Sequence, residues 1–304
     1  MATRQSYRHL DAVLILDKPC GISSNRALQK ARHLFQARKA GHCGSLDPLA
    51  SGVLPVCFGQ ATKFSSYLLG ANKTYRAHCR LGQTTTTGDA EGEILQTRPV
   101  DIDPEQVVQV LASFVGDISQ IPPMYSALKY EGRRLYELAR DGQTVERAAR
   151  QVTVHNLDLV SLKDGILEIM VCCSKGTYIR TLAEDIGEKL GCGAHLEQLR
   201  RTRVEPFALD SALELDALEA LASDSLQALD RNLLPVSHAL QQFPVLNLDA
   251  RQSLEIRQGK RIELESPGSA GLVRLVGPEG DFLGLGKRSD QGELSAKRLM
   301  NTAS

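Results

Sequence analysis

Between Gly41 and Gly59 the chain reads GHCGSLDPLASGVLPVCFG, and the single acid in that stretch is Asp47, set between Leu46 and Pro48. Glycine, proline and small residues are denser here than a simple connection requires. A carboxylate with no second acid beside it does not suit two-carboxylate glycoside hydrolysis, but it is sufficient for nucleophilic or electrostatic attack at a sugar or a base. The alternative for any Asp-Pro is an Asx-type turn or a cap on the segment that follows. A second place for chemistry lies behind Gly176, where Tyr178 and Arg180 fall between a strand-like run and a helical one.

Other chemistries find less support. No histidine forms an H-x-x-x-H or H-x-x-E pair and no cysteine pair has zinc spacing, so no metal is expected. Neither a phosphate-binding loop nor a dinucleotide fingerprint occurs at a strand-to-helix turn near the N-terminus, so no nucleotide cofactor is expected. The seven cysteines are odd in number and lack C-x-x-C spacing, which predicts reduced core thiols. Cys43, beside His42, is the remaining candidate for a thiolate nucleophile.

The elements that must position Asp47 are legible from periodicity. Ala12 to Leu16 reads as a buried strand ending in a turn at Lys18-Pro19-Cys20-Gly21. Ser23 or Ser24 caps a helix whose apolar positions Ala27, Leu28, Ala31, Leu34 and Phe35 share one stripe. Gly52 to Phe58 reads as a strand, Ala61 to Leu69 as a short helix, and Tyr75 to Leu81 as an alternating strand with Tyr75 on the buried or site-facing side. Pro104 to Val115 reads as an amphipathic helix. Pro122 to Gln151, with six basic residues and four acids, reads as an insertion standing off the core. Val152 to Val160 and Ile166 to Cys173 are strands about the turn Lys163-Asp164-Gly165, and helical spacing resumes at Ile179, Leu182, Ile186 and Leu190. The stretch from Leu213 to Leu234 should be helical, Pro235 to Pro244 should contain a linker, and the glycine-punctuated tail should form a small all-β domain.

The chain has 304 residues and equal numbers of basic and acidic side chains, 36 each. Bulk charge therefore offers no attraction to nucleic acid, but the charges are segregated. Ile22 to His42 holds five basic residues and no acid; Asp210 to Asp230 holds six acids and no base. Such blocks either make a basic face suited to a phosphate backbone or are solvated helix surface. No apolar run reaches the roughly 18 residues of a membrane span, and Met1 to Leu16 lacks the pattern of a secretory signal, so a cytoplasmic protein is expected.

Gly41 to Lys63 follows almost throughout the pattern G-H-x-G-[TAS]-L-D-P-x-A-x-G-V-L-P-V-x-x-G-x-A-T-K, and on that ground the chain resembles the TruB family of pseudouridine synthases. The resemblance continues in Lys18-Pro19-x-Gly21, Lys73-x-Tyr75, Ile121 to Lys129, Cys173 to Leu182, Gly191 to Leu196 and Leu199 to Thr202. It spans residues 10 to 205 with specific motifs and is looser after Pro244. Cys43 and Ser45 occupy variable positions of the pattern.

The resemblance implies conversion of uridine 55 in the TΨC loop of tRNA to pseudouridine, by base flipping and without cofactor or metal. It implies Asp47 as the catalytic residue, Tyr75 against the target base, Tyr178 and Leu199 in the uridine pocket, Arg180 as ion partner of the aspartate, and His42 holding the extruded nucleotide. Without the resemblance, Tyr75 and Leu199 would be core residues, Arg180 would pair with Glu184 one helical turn on, and His42 would be a loop histidine. It further implies an α+β fold around a mixed, largely antiparallel sheet. The expected domains are a catalytic unit at 1–234, with an RNA-gripping insertion at 122–151, and a PUA-like β unit at 245–304. A monomer acting on the tRNA stem-loop, with no obligate protein partner and no membrane association, is expected. The competing readings are a tRNA-binding, loop-remodelling module without catalysis, and a nucleoside hydrolase that would release free uracil.

Overall fold

Strand Ala12–Lys18 is buried at every position, because its apolar run leaves neither face for water. Burying Leu14 and Leu16 alone contributes about 1.5–3 kcal/mol each. In the computed structural model, which describes residues 7–264 and 268–301, this strand lies near one edge of a 10-stranded sheet. Residues 1–6 of the stretch read for a signal, and residues 1–6, 265–267 and 302–304 of the expected domains, lie outside the described residues.

Across the sheet the order is Leu213–Glu214, Ala12–Lys18, Ala50–Phe58, Ala194–Val204, Lys73–Leu81, Ile166–Cys173, Arg150–Lys163 and Gly116–Gln120, with Ala40–His42 and Phe207–Ala208 pairing off this path. Leu213–Glu214 on Ala12–Lys18 and Ala194–Val204 on Ala50–Phe58 are parallel; the remaining pairings are antiparallel. The mixed, largely antiparallel sheet therefore matches expectation. Strand Lys73–Leu81 alternates as read, with Tyr75, Ala77, Cys79 and Leu81 buried. Asp164 and Gly165, both at positive φ, make the tight turn between the strands Arg150–Lys163 and Ile166–Cys173.

Helix Ser24–Leu34 packs Ala27, Leu28 and Ala31 beside Leu14, Leu16, Leu54 and Phe58. Helix Ile179–Lys189 covers the other half of the sheet through Ile179, Leu182, Ala183 and Ile186.

Three expectations need correction. Leu213 to Leu234 is helical only in part: a two-residue strand leads into helix Leu215–Asp224, and Ser225 ends it and caps a second helix, Leu226–Asp230. Serine competes for local hydrogen bonds, which explains the break. Pro235 to Pro244 contains a packed element, the 3-10 helix Val236–Leu240, with Val236, Ala239 and Leu240 buried beside Phe64 and Leu68. The tail beyond it is a five-stranded sheet that includes helix Ala250–Arg257 and so is not all-β. The helix has a capping box, Asp249 with Gln252, which β-patterning alone overlooks.

A close crossing in the sheet is at Gly52, where φ is +107° and the register partner is Arg201. A Cβ there would run into the Arg201 backbone carbonyl. Gly52→Ala should cost about 3 kcal/mol from backbone strain and overpacking together, lowering the urea midpoint at constant m.

Candidate active site

The loop bearing Asp47 is held by its backbone. Ser23 caps helix Ser24–Leu34 by accepting from the Arg26 amide at 3.2 Å. Ser24, the next residue, is buried and reaches out of the helix: its Oγ donates to the Leu46 carbonyl at 2.9 Å and accepts from the Leu46 amide at 2.7 Å. On the far side the Gly21 amide donates to the Pro48 carbonyl at 2.8 Å. Arg201, 1% exposed, donates from Nε to the Val53 carbonyl at 2.7 Å and from Nη2 to the Gly44 carbonyl at 3.1 Å. The Asp47 carboxylate is thus left free of local capping, and no Asx turn or helix cap through it occurs among the described residues.

Its partner is Arg180, whose Nη2 lies 3.1 Å from Asp47 Oδ2. The arginine side chain is 6% exposed and the aspartate 47%, so a buried cation supports a carboxylate that still faces open space. The same guanidinium donates to the Thr87 carbonyl at 3.1 Å and the Tyr125 carbonyl at 2.6 Å, and stands 3.4 Å from Asp89 Oδ2. The helical pair with Glu184 is replaced by these contacts. Glu184, pushed up to about 7 by burial and by Asp185, has no ion pair among the described residues.

Asp47 is therefore not the solitary acid its own segment suggests. Asp89, buried, accepts from the Thr87 hydroxyl at 2.5 Å and from the Glu91 amide at 3.1 Å, and Glu91 lines the same cavity. Desolvation by the cavity walls pushes the Asp47 carboxyl above its ordinary value; Arg180 and Lys18 oppose the shift and Asp89 adds to it. Exposure and desolvation coexist because the carboxylate opens to solvent on one side and is ringed by protein on the others. Lys18, fully buried and donating to the Pro19 and Ile22 carbonyls, is drawn down to about 8 by burial. His42 is also drawn down by burial and by Arg201, and its Nδ1 has no hydrogen-bond partner.

The cavity has a volume of about 790 Å³. Of the residues read from sequence, Asp47, His42 and Arg180 line it. Tyr75, Tyr178 and Leu199 do not. Tyr75 is buried on its strand, with its phenol pushed up by burial and opposed by Arg201. Leu199 lies between Ala50 and Ala77 in register, half-buried against the core. Tyr178 begins helix Ile179–Lys189, with its amide and carbonyl both bound by the Gln120 side chain at 3.0 and 3.3 Å. Cys43 is fully buried with its sulfur 3.4 Å from that of Cys57, which removes it from solvent and from nucleophile candidacy.

As residues of the site, Ser24, Asp89, Glu91 and Arg201 escaped the sequence reading, which took Ser24 only as a possible helix cap and Arg201 only as part of a motif. The signal for Asp89 was present in Thr-Gly-Asp-Ala-Glu-Gly, residues 87–92, a turn with two acids. Among the described residues no group of histidine, cysteine and carboxylate side chains is arranged to hold a metal ion.

Three descriptions of one family align in series along the chain: TruB family pseudouridylate synthase (N terminal domain) at 32–179, tRNA pseudouridylate synthase B C-terminal domain at 180–241, and Pseudouridine synthase II TruB, C-terminal, at 244–300. A tRNA pseudouridine synthase B from Nitrosococcus oceani is 50% identical over 292 residues, covering 96% of this chain and 95% of the relative. The protein of the same name from Burkholderia mallei is 53% identical over 305 residues, covering 98% and 97%. Among solved structures, a Cbf5-Nop10-Gar1 complex matches with TM-score 0.71 and 26% identity over 92% of this chain and 79% of the other. An archaeal box H/ACA Nop10-Cbf5 complex shares the fold, with TM-score 0.70 at 24% identity over 97% and 86%. The fold and the family matches are thus those of a pseudouridine synthase. Within that class, the chain belongs to the TruB family.

Ser24→Ala leaves the buried Leu46 amide and carbonyl without partners. It should cost about 1–3 kcal/mol of stability in denaturant titration. The same variant should lower kcat more than it raises KM for RNA, because the displaced group is the Asp47 loop.

Proposed function

We propose that this enzyme, a tRNA pseudouridine synthase, acts on uridine 55 of the TΨC loop and that Asp47 is its catalytic residue. The observation that carries the reading is the Asp47 carboxylate, free of local capping, facing a cavity while a buried arginine holds it from behind at 3.1 Å. A module that only binds and remodels RNA has no need of that carboxylate.

The reaction breaks the C1′–N1 bond, forms C1′–C5, releases the C5 proton and places a proton on N1, with no loss of uracil. An enzyme acting at those atoms first takes the base out of the stack, at a cost of a few kcal/mol. His42 at the cavity wall, kept neutral by burial, supplies a flat ring that replaces part of the lost stacking. In this reading Tyr75, Tyr178 and Leu199 form the uridine pocket beyond the residues that line the cavity. Asp47 supplies the negative charge at the reacting sugar or base. Arg180, always cationic, keeps it ionised when RNA excludes water.

In this reading residues 1–234 form the catalytic unit and 245–304 the PUA-like unit, with 122–151 gripping RNA. The enzyme is a cytoplasmic monomer acting on the tRNA stem-loop without cofactor, metal or obligate protein partner. No helix among the described residues is long and apolar enough to cross a membrane.

The direct test is incubation with unmodified tRNA transcript and mapping of pseudouridine at single-nucleotide resolution. Modification confined to position 55 is expected; release of free uracil would indicate the hydrolase instead. Asp47→Asn should abolish turnover while RNA affinity stays within about tenfold. For Arg180→Met the sign follows from linkage: without the cation the Asp47 carboxyl titrates still higher, so the active anion is depleted at neutral pH and regained as pH rises. Single-turnover rates from about pH 5 to 9 should show the acid limb displaced upward in the variant. An unshifted limb would remove Arg180 from this role.

A further inference from the structure

The cavity is larger than one uracil needs and has two chemically different walls. Its volume of about 790 Å³ lies in the upper part of the range, about 300–1,000 Å³, of sites that enclose a whole ligand. One wall carries Asp47, Asp89 and Glu91 with Arg180. The insertion contributes a second part of the lining, through Arg134, Tyr136, Glu137 and Arg140.

That second wall is ordered with respect to the first. The Tyr136 amide donates to the Ser126 carbonyl at 3.1 Å, and the preceding Tyr125 carbonyl accepts from Arg180. Leu135 and Leu138 are buried beneath the short helix Leu135–Arg140, so the Tyr136 ring is carried on a seated support. The ring itself is half-buried. The guanidinium carbons of Arg134 and Arg140 stand 5.9 and 5.6 Å from its centroid.

Charge divides the same way. Arg180 is committed to two carboxylates and two carbonyls, whereas neither Arg134 nor Arg140 has an ion pair among the described residues. Arg133, by contrast, is held at 2.5 Å by Asp141, the residue that follows the short helix. Glu137, the acid on this wall, accepts from the Arg134 amide at 3.1 Å. A phosphate brought toward three carboxylates is repelled unless cations meet it, and Arg134 and Arg140 are the cations on this wall.

We propose that Tyr136, flanked by Arg134 and Arg140, forms a second nucleotide site in the cavity lining, which stacks the base adjoining the target uridine and neutralises its phosphate. The site rests on the uridine-isomerising reading and adds to it a determinant of RNA context. Flipping one nucleotide breaks stacking on its neighbours as well, and an aromatic face with two guanidiniums is a sequence-tolerant replacement for such a contact.

The experiment is a double-mutant cycle between protein and RNA. The substrate is a T-arm stem-loop, either intact or with an abasic residue on the 5′ or the 3′ side of the target uridine. With intact RNA, Tyr136→Ala should raise KM about tenfold, the scale of one lost aromatic–base stack, with the loss in KM and not in kcat. Tyr136→Phe, which keeps the ring, should behave as wild type. At one of the two abasic positions the losses should fail to multiply, because ring and base have already lost each other. Tyr136→Leu, which retains apolar bulk on the short helix without an aromatic face, should repeat the alanine result and excludes an effect of misfolding. Losses that multiply at both positions, or a KM unchanged by Tyr136→Ala, overturn the second site while leaving wild-type turnover as found. A wild-type enzyme that makes no pseudouridine overturns the underlying reading instead.

Discussion

Four separate parts of the chain meet at one buried guanidinium. Arg180 binds the Asp47 carboxylate, the Thr87 carbonyl with neighbouring Asp89, and the Tyr125 carbonyl at the root of the insertion, from the first turn of its own helix. A side chain 6% exposed can hold a full charge only if its donors are met, and here carboxylates and carbonyls meet them. Each acid in turn depends on the arginine: without it, Asp47 and Asp89 would face each other across a desolvated cavity. The positions of the Asp47 loop, the Thr87–Asp89 turn and the insertion are therefore coupled through one planar group.

A second arginine does comparable work from beneath. Arg201 is more deeply buried and binds backbone carbonyls on both sides of the Asp47 loop, while the close crossing of its own backbone with strand Ala50–Phe58 requires Gly52. Ser24 completes the clamp from the helix side. The glycine- and proline-rich composition around Asp47 follows from this crowding: small residues and fixed turns let three neighbouring elements bind the loop's backbone and leave its carboxylate unbound.

Part of the charge segregation in the sequence is consumed internally, since Lys30 of the basic helix lies 3.3 Å from Glu219 of the acidic one and Arg8 pairs with Asp230. At the other end of the molecule, the segment expected as a linker joins the core that contains Phe64, Ala239 and Leu285, and the Phe64 and Phe282 rings stand 5.7 Å apart. The C-terminal sheet is therefore seated on the larger one by apolar contact.

Local pattern alone was enough for strand Ala12–Lys18, the alternation of Lys73–Leu81, the Ser23 cap and the helix behind Tyr178, because side-chain period and capping depend on residues a few positions apart. The motif around Asp47 was likewise legible in one segment. What only tertiary structure decided is whom Asp47 meets. Its partner lies 133 positions away, and Asp89 and Glu91 come from a turn whose local sequence states only that it is a turn. Sequence also left Arg180 equally able to pair with Glu184 on its own helix; the fold buries the guanidinium beneath the Asp47 loop, where two carboxylates and two carbonyls outcompete a single neighbour. The linker was misread, and the break within the helical stretch missed, for a related reason. Whether Val236 and Leu240 are buried, and whether Ser225 breaks a helix, depends on which distant surface is available to cover each segment, and no local period encodes that surface.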